Sequence, residues 1–322
     1  MKKLFIVNSR ADSKALAGFK AAYSGLSEEH QGESQVIYTE FAGHASEVAD
    51  KAALEDDVLV IACGGDGTIH EVANSLAESK TPMAVIPLGT GNDFTRSVMD
   101  EEHRCNSGIC VREIFEDNYK IKNADLIKVT SYDREGNKID ASSAWCLNVA
   151  SIGLDTEVQL RAKGKVLAHP NSSLVRSTAY VTSALGCLFG NRKFEFKYKA
   201  LRGDGKPNES LKSVFTMIAV CNASYYGSGF CPAPNAKIDD GLINCCSIES
   251  VNLFRSLYLL TKYKKGRHEG YKEADVFVTT KLTVEATGSR DLNGNYDGED
   301  FSGHKVDFEC FPGALKLAVY GQ

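Results

Sequence analysis

Gly64-Gly65-Asp66-Gly67-Thr68 constrains this chain more than any other five residues. An apolar run, Val58-Leu59-Val60-Ile61-Ala62-Cys63, precedes it. Behind it, Ile69, Val72, Ala73 and Leu76 recur on one helical face. A buried strand that ends in a glycine turn and opens a helix makes a site for a phosphate group. Glycines let backbone N–H groups turn toward one point with no Cβ in the way. The helix N-terminus adds donors and partial positive charge. Asp66 and Thr68 then stand at the mouth of that anion site, where a nucleotide or its metal would sit. The pattern is neither a P-loop, since no Gly-Lys-Ser/Thr follows, nor a Gly-x-Gly-x-x-Gly turn. The plainer alternative is a tight turn with a threonine helix start, but an acid inside a double-glycine turn has little use unless something binds.

The arrangement recurs further on. Met83-Ala84-Val85-Ile86-Pro87 is followed by Leu88-Gly89-Thr90-Gly91-Asn92-Asp93-Phe94, with Asn92 placed to cap a short helix through Ser97. Loops that leave one edge of a parallel sheet come together, and ligands bind there. The turns at 64–68 and 89–91 are therefore expected to line one crevice.

The spacing predicts strands at 3–7, 35–39 and 58–63, alternating with helices at 13–26, 44–54 and from about residue 68. Strands joined by helical crossovers imply a parallel sheet. After about residue 125 the rhythm changes. Strand-like runs at 126–131, 145–152, 194–199, 214–222, 242–248, 276–280 and 282–286 are separated by Gly/Asp/Asn turns. Helical patterns fall at 156–168, 173–189 and 252–263. The fold class expected is α/β plus β: an N-terminal parallel-sheet nucleotide domain and a mostly antiparallel β-sandwich or barrel, with the active site in the cleft between them. The C-terminal strand-like runs 306–311 and 314–319 fit either domain, and the boundaries expected are 1–126 and 127–305.

At this point the chain resembles a known family. GGDGTIHEVAN followed by PLGTGNDF is similar to the diacylglycerol kinase catalytic domain, shared by bacterial soluble lipid kinases, sphingosine kinases and ceramide kinases. The GGDGT piece alone also occurs in NAD kinases; the HEVAN continuation and PLGTGNDF are similar to the lipid kinases and rarer elsewhere. Thr39 with Ala45, Asp125, residues 148–155 (NVASIGLD), residues 222–241 and Asp297-Gly298-Glu299 follow in family order, over nearly the whole chain. One departure is Asn8-Ser9-Arg10-Ala11-Asp12, where the family usually has Asn-Pro and a glycine.

The resemblance implies an ATP- and Mg²⁺-dependent lipid kinase of phospholipid metabolism. It implies too that residues 306–322 complete the first domain. Asn8, Thr39, Gly64, Gly65, Asp66, Gly67, Thr68, Gly89, Thr90, Gly91 and Asn92 would frame ATP. Asp297 would be the base with Glu299 beside it, since residues two apart share a side if the chain there is extended. Asp66 joins them as a candidate catalytic acid, and Asp93 and Asp125 as a supporting acidic network around ATP-Mg²⁺. A structural Mg²⁺ would be held by the Asp240 carboxylate and the carbonyls of Lys237 and Leu242. Each has a blander alternative: Asn293-Gly294 and Asp297-Gly298 both favour hairpin turns, residues 237–242 read as a solvated loop, and Asp125 as a surface or hinge acid. His70, beside the glycine turn, reads as a helix-surface residue.

Composition narrows the rest. The chain is 43% hydrophobic with a net charge of −5, against a nucleic-acid binder. Ten cysteines show no zinc-ligand spacing and mostly sit in apolar runs, as small core residues in a reducing cytosol do. No signal peptide or membrane-spanning run is seen. Residues 255–272 carry Arg255, Lys262, Lys264, Lys265, Arg267 and Lys272 against Glu269, either the solvated face of a helix or an attraction for anionic membranes. The partners expected are ATP and a lipid met at a membrane surface by a cytoplasmic, peripherally associating enzyme, with a homodimer left open. The rival readings are an NAD kinase-like enzyme and a non-catalytic nucleotide- or lipid-binding regulator.

Overall fold

The computed structural model describes residues 1–139, 144–169, 172–190, 193–202, 207–210 and 213–320. Two compact units divide the chain. Unit 1 comprises Met1–Leu126, Ile238–Asp240 and Phe311–Gln322; unit 2 comprises Ile127–Lys237 and Gly241–Cys310. In chain order the elements begin β1 (Lys2–Asn8), α1 (Ser13–Ser24), α2 (Glu28–Gly32), β2 (Ser34–Thr39), α3 (His44–Ala52), β3 (Val58–Gly64), α4 (Asp66–Leu76) and β4 (Met83–Pro87). Three helices follow, α5 (Asp93–Val98), α6 (Glu101–Cys105) and α7 (Ser107–Phe115), then β5 (Tyr119–Tyr132), β6 (Ala144–Cys146) and β7 (Val149–Gly153). Next come α8 (Leu154–Ala168), α9 (Ser173–Leu188), β8 (Phe194–Arg202), β9 (Pro207–Glu209), β10 (Val214–Cys221), β11 (Ile243–Glu249) and α10 (Leu253–Lys264). The chain closes with β12 (Ala274–Ala286), β13 (Leu292–Tyr296), β14 (Glu299–Gly303) and β15 (Lys305–Tyr320).

In unit 1 the strand order is β2-β1-β3-β4 followed by the end of β15, with every pairing parallel. All seven residues of β3 and all five of β4 are buried, the unbroken apolar reading of central parallel strands covered on both faces. Phe5, Phe19, Leu59, Ile61, Ile86 and Ile114 form its core.

Unit 2 is antiparallel, in the order β14-β13-β7-β10-β11-β12-β15, with β8 also pairing β10 and β12. Alternation along β10 builds two cores. Ile218 and Val220 enter one, and Met217, Ala219 and Cys221 enter another that Leu154, Val158, Leu259 and Tyr263 of α8 and α10 complete. The ten cysteines are free thiols, nine of them buried.

Several expected elements differ. The run 145–152 is two strands, because the chain leaves its ladder at Leu147-Asn148. The runs 276–280 and 282–286 are one strand, β12, which pairs β11 through its first half and β15 through its second. The register against β8 shifts where the partner changes, between Thr279 and Leu282. The runs 306–311 and 314–319 are likewise one strand despite Pro312, with Gly313 at φ 66° absorbing the bend. His70 is buried, not on the helix surface, and Asn74 one turn on donates to its carbonyl (3.1 Å).

Candidate active site

Two glycine turns in unit 1 are built against each other. A Cβ on Gly89 would stand 2.4 Å from the Gly65 Cα, and one on Gly65 would stand 3.2 Å from the Gly89 Cα. Gly64 is closed by the Thr68 side chain, 2.5 Å from where its Cβ would be. These three glycines serve close packing of the turns before they serve any ligand. Gly67 is different: it is exposed, and a Cβ there meets nothing within 4 Å.

Polar side chains lock the pair. Asn92 has φ 50° and makes no helix-capping hydrogen bond, contrary to expectation. Its amide instead clamps Gly89, accepting from that N–H (3.1 Å) and donating to that carbonyl (2.7 Å). The left-handed backbone at Asn92 turns its side chain back onto the turn, so the cap of α5 comes from Asp66, whose Oδ1 accepts from the Phe94 N–H (3.2 Å). Asp93, which is buried, pairs with Arg96 (3.3 Å). The Asp66 and Asp93 carboxylates both approach Gly91. Asp125 is buried, not on the surface, and its Oδ1 accepts from the Gly313 N–H (2.8 Å), holding the returning C-terminal strand. Among the described residues no three His, Cys, Asp or Glu side chains converge as a metal site.

Beside the first turn lies a cavity of about 240 Å³. Asn8, Thr39, Ala45, Gly67 and Thr68 line it, with Arg10, Phe41 and Glu71, which sequence reasoning missed. The first helical bond of α4 runs from Ile69 N–H to the Gly65 carbonyl (3.1 Å), which leaves the Gly67 and Thr68 N–H groups ahead of the helical ladder. Asn8 Nδ2 donates to Thr68 Oγ1 (3.0 Å), and Asn8 Oδ1 accepts from the Arg10 N–H (2.9 Å). The Ser9 hydroxyl donates to the Thr39 carbonyl (2.5 Å). The departure at Ser9-Arg10 is thus a hydrogen-bonded turn that sets Arg10 in the lining of the cavity. Phe41, exposed at the rim, stacks on His44 with ring centres 4.9 Å apart.

In unit 2, Asp297-Gly298 is the two-residue turn joining β13 to β14, with φ of 48° and 100°. The local chain is therefore not extended, and Asp297 and Glu299 do not share a side on that ground. Asn293-Gly294, by contrast, lies within β13; a Cβ at Gly294 would enter the Phe301 ring, 2.1 Å from its Cζ. The Asp297 carboxylate turns back onto the neighbouring chain. Its Oδ2 accepts from Leu147 N–H (2.6 Å), and its Oδ1 from Asn148 (2.9 Å) and Val149 (3.1 Å). Those captures are what break the expected strand at 147–148. Glu299 is exposed. In the loop that follows β10, Asp240 and Lys237 are exposed, and Asp239 pairs with Lys122 (3.6 Å).

A buried polar cluster completes unit 2. Tyr226 donates to Asp155 and lies 3.1 Å from the Tyr263 hydroxyl. Burial pushes the Asp155 carboxyl up to about 7, against the opposing hydrogen bond from Tyr226.

A parallel α/β unit with paired glycine turns, followed by an antiparallel β unit, defines a class shared with known kinases. Residues 2–128 match the diacylglycerol kinase catalytic domain, and residues 148–319 match the YegS C-terminal NAD kinase beta sandwich-like domain. The chain belongs to the family in which these two domains follow one another, the diacylglycerol kinase and YegS-like lipid kinases. Diacylglycerol kinase of Bacillus subtilis (strain 168) is 27% identical over 269 residues, 83% of this chain and 79% of the relative. A Pseudomonas aeruginosa protein named "Probable lipid kinase YegS-like" is 26% identical over 278 residues, 85% of this chain and 81% of its own. A crystal structure of a diacylglycerol kinase from Bacillus anthracis str. Sterne has the same fold, with TM-score 0.64, 20% identity and coverage of 99% and 97%. Yeast NADH kinase complexed with NADH shares it more loosely, at TM-score 0.54 and 11% identity, covering 100% of this chain and 84% of the yeast chain.

Proposed function

We propose that this protein passes the γ-phosphoryl group of ATP to the hydroxyl of a lipid, diacylglycerol or one like it. The observation that carries the reading is the cavity at the N-terminus of α4. There Asn8, Thr39, Gly67 and Thr68 meet Arg10, so the N-terminus of a helix and a cationic residue line the same space. Phosphoryl transfer asks the protein chiefly to position phosphates and stabilise charge, and such donors do both. Gly89, Thr90, Gly91 and Asn92 support the same task from the second turn.

On the acceptor side the hairpin divides the work. Asp297 is spent on three backbone N–H groups, so the base we assign is Glu299, an exposed carboxylate whose place the Asp297 turn fixes. For Mg²⁺, the loop 237–242 offers the Asp240 carboxylate and the carbonyls of Lys237 and Leu242, an all-oxygen set of the kind a hard cation takes. Bound there, the ion would hold the loop electrostatically rather than do chemistry.

Purified protein with radiolabelled ATP and Mg²⁺, offered diacylglycerol, ceramide, sphingosine, polyprenol, phosphatidylglycerol and NAD, tests the reading. Label is expected in one lipid and not in NAD. Label in NAD alone, or in nothing, would overturn it.

A further inference from the structure

Among the described residues β14 lies at the edge of the unit 2 sheet, paired with β13 alone. An edge strand has one ladder to hold it. This one opens with Glu299, the carboxylate assigned above as the base. A reacting group must be held closely, because misplacement by about 1 Å can cost on the order of a hundredfold in rate. The second constraint on the hairpin comes from helix α8.

One continuous segment, 147–163, runs through β7 into α8 and meets the hairpin residue by residue. Its start, the N–H groups of Leu147, Asn148 and Val149, grips the Asp297 carboxylate. Further along, Gln159 Nε2 donates to the Gly298 carbonyl (2.6 Å). A carbonyl can only accept, so the amide nitrogen of Gln159 is the atom that faces it. One helical turn on, Lys163 Nζ reaches the Asp300 carboxylate (3.2 Å). Gln159 and Lys163 stand at i and i+4 and so share a face of α8. The start of the helix is itself tied to β13: Asn295 donates to Ser151 Oγ (2.9 Å) and lies 3.4 Å from Thr156 Oγ1. Asp297, Gly298 and Asp300 are therefore each engaged by this segment. The Glu299 carboxylate between them makes no hydrogen bond or ion pair among the described residues.

We infer that Gln159, with Lys163 beside it, is a positioning residue for Glu299. The carbonyl that Gln159 holds belongs to the peptide group whose nitrogen is that of Glu299. Peptide groups are planar, so holding the oxygen fixes the plane from which the Glu299 side chain departs. Lys163 engages Asp300, the rival carboxylate of the hairpin, and Glu299 is the one left to accept a proton. The inference rests on the assignment of Glu299 as the base, and the experiment separates the two.

The test is steady-state turnover with ATP and micelles of the lipid labelled in the assay above, for Gln159→Leu, Lys163→Gln and Lys163→Arg. Gln159→Leu is also combined with Glu299→Gln. Gln159→Leu keeps the bulk and removes the donor. It should melt within about 2 °C of wild type. Its KM for ATP should be unchanged and its kcat roughly 10–100-fold lower. Lys163→Gln should lower kcat by at most about fivefold, since the pair is half-exposed, and Lys163→Arg should restore it. In the Glu299→Gln background Gln159→Leu should cost no further rate, because it acts through that carboxylate. Wild-type kcat in Gln159→Leu, or an equal fold-loss with and without the Glu299 carboxylate, would overturn the positioning role. So would a Gln159→Leu protein that loses stability in step with activity. Wild-type turnover by Glu299→Gln would instead remove the base assignment, and a wild type that labels no lipid the kinase reading; either takes the inference with it.

Discussion

The glycine turns of unit 1 and the Asp297 hairpin of unit 2 solve one problem by opposite means. In unit 1 the turns approach because side chains are missing: a Cβ on Gly89 would stand 2.4 Å from the Gly65 Cα, and one on Gly65 a tight 3.2 Å from the Gly89 Cα. In unit 2 the hairpin is held by a side chain, the Asp297 carboxylate on three N–H groups. Yet both motifs divide alike into residues that build the loop and residues that the loop presents. Gly64, Gly65, Gly89, Asn92, Asp297 and the buried Thr68 side chain build; Gly67 and Glu299 are presented. Membership in a motif therefore does not assign a residue to the chemistry.

The largest effect should come from a builder. Gly89→Ala sets a Cβ against backbone that cannot move aside cheaply, and should cost about 2–4 kcal/mol of stability. Gly67→Ala, within helix α4 and open to solvent, should cost none and add up to about 1 kcal/mol. It should nonetheless lower ATP affinity by placing a methyl in the cavity. Denaturant melts with calorimetric ATP titrations check both. A Gly89→Ala protein as stable as wild type, or a Gly67→Ala protein with unchanged affinity, would break the division in unit 1.

The sequence made the repetitive features plain and hid the long-range ones. Strands β3 and β4 announce themselves because a strand buried on both faces is apolar at every position. The hairpin at 297–298 is legible in Asp297-Gly298, but its anchor is not, since Leu147 and Asp297 are brought together only by the fold. The continuity of β12 and β15 was hidden for a related reason. Each changes its ladder partner midway, and Lys281 or Pro312 then reads as a break although the backbone continues. Helix α7 did carry a usable signal in Cys110, Val111, Ile114 and Phe115, all buried on one face.

A smaller effect separates two carboxylates of unit 2. Asp155 lies buried with a single tyrosine hydroxyl donating to it, and its carboxyl is raised from 3.8 to about 7. The native state thus keeps that proton when the unfolded chain has lost it. The stabilising contribution is complete below the ordinary value and disappears as pH rises through about 7. Wild type should lose about 2 kcal/mol between about pH 5 and 7 relative to Asp155→Asn, whose side chain does not ionise. Parallel pH dependence in the two proteins would show that Asp155 is ionised throughout, with other groups sharing its charge.

The most direct test pairs Asp297→Asn with Glu299→Gln, measuring melting and turnover on the same preparations. Removing the charge that three backbone N–H groups grip should cost Asp297→Asn about 2–3 kcal/mol of stability. Glu299→Gln, at an exposed position, should melt within about 0.5 kcal/mol of wild type. Its kcat on the lipid substrate should nevertheless fall on the order of 10²–10⁴-fold, the contribution of a general base. A stable Glu299→Gln protein with that loss, beside a destabilised Asp297→Asn protein, is the predicted result. Wild-type turnover in Glu299→Gln, or wild-type melting in Asp297→Asn, would contradict it.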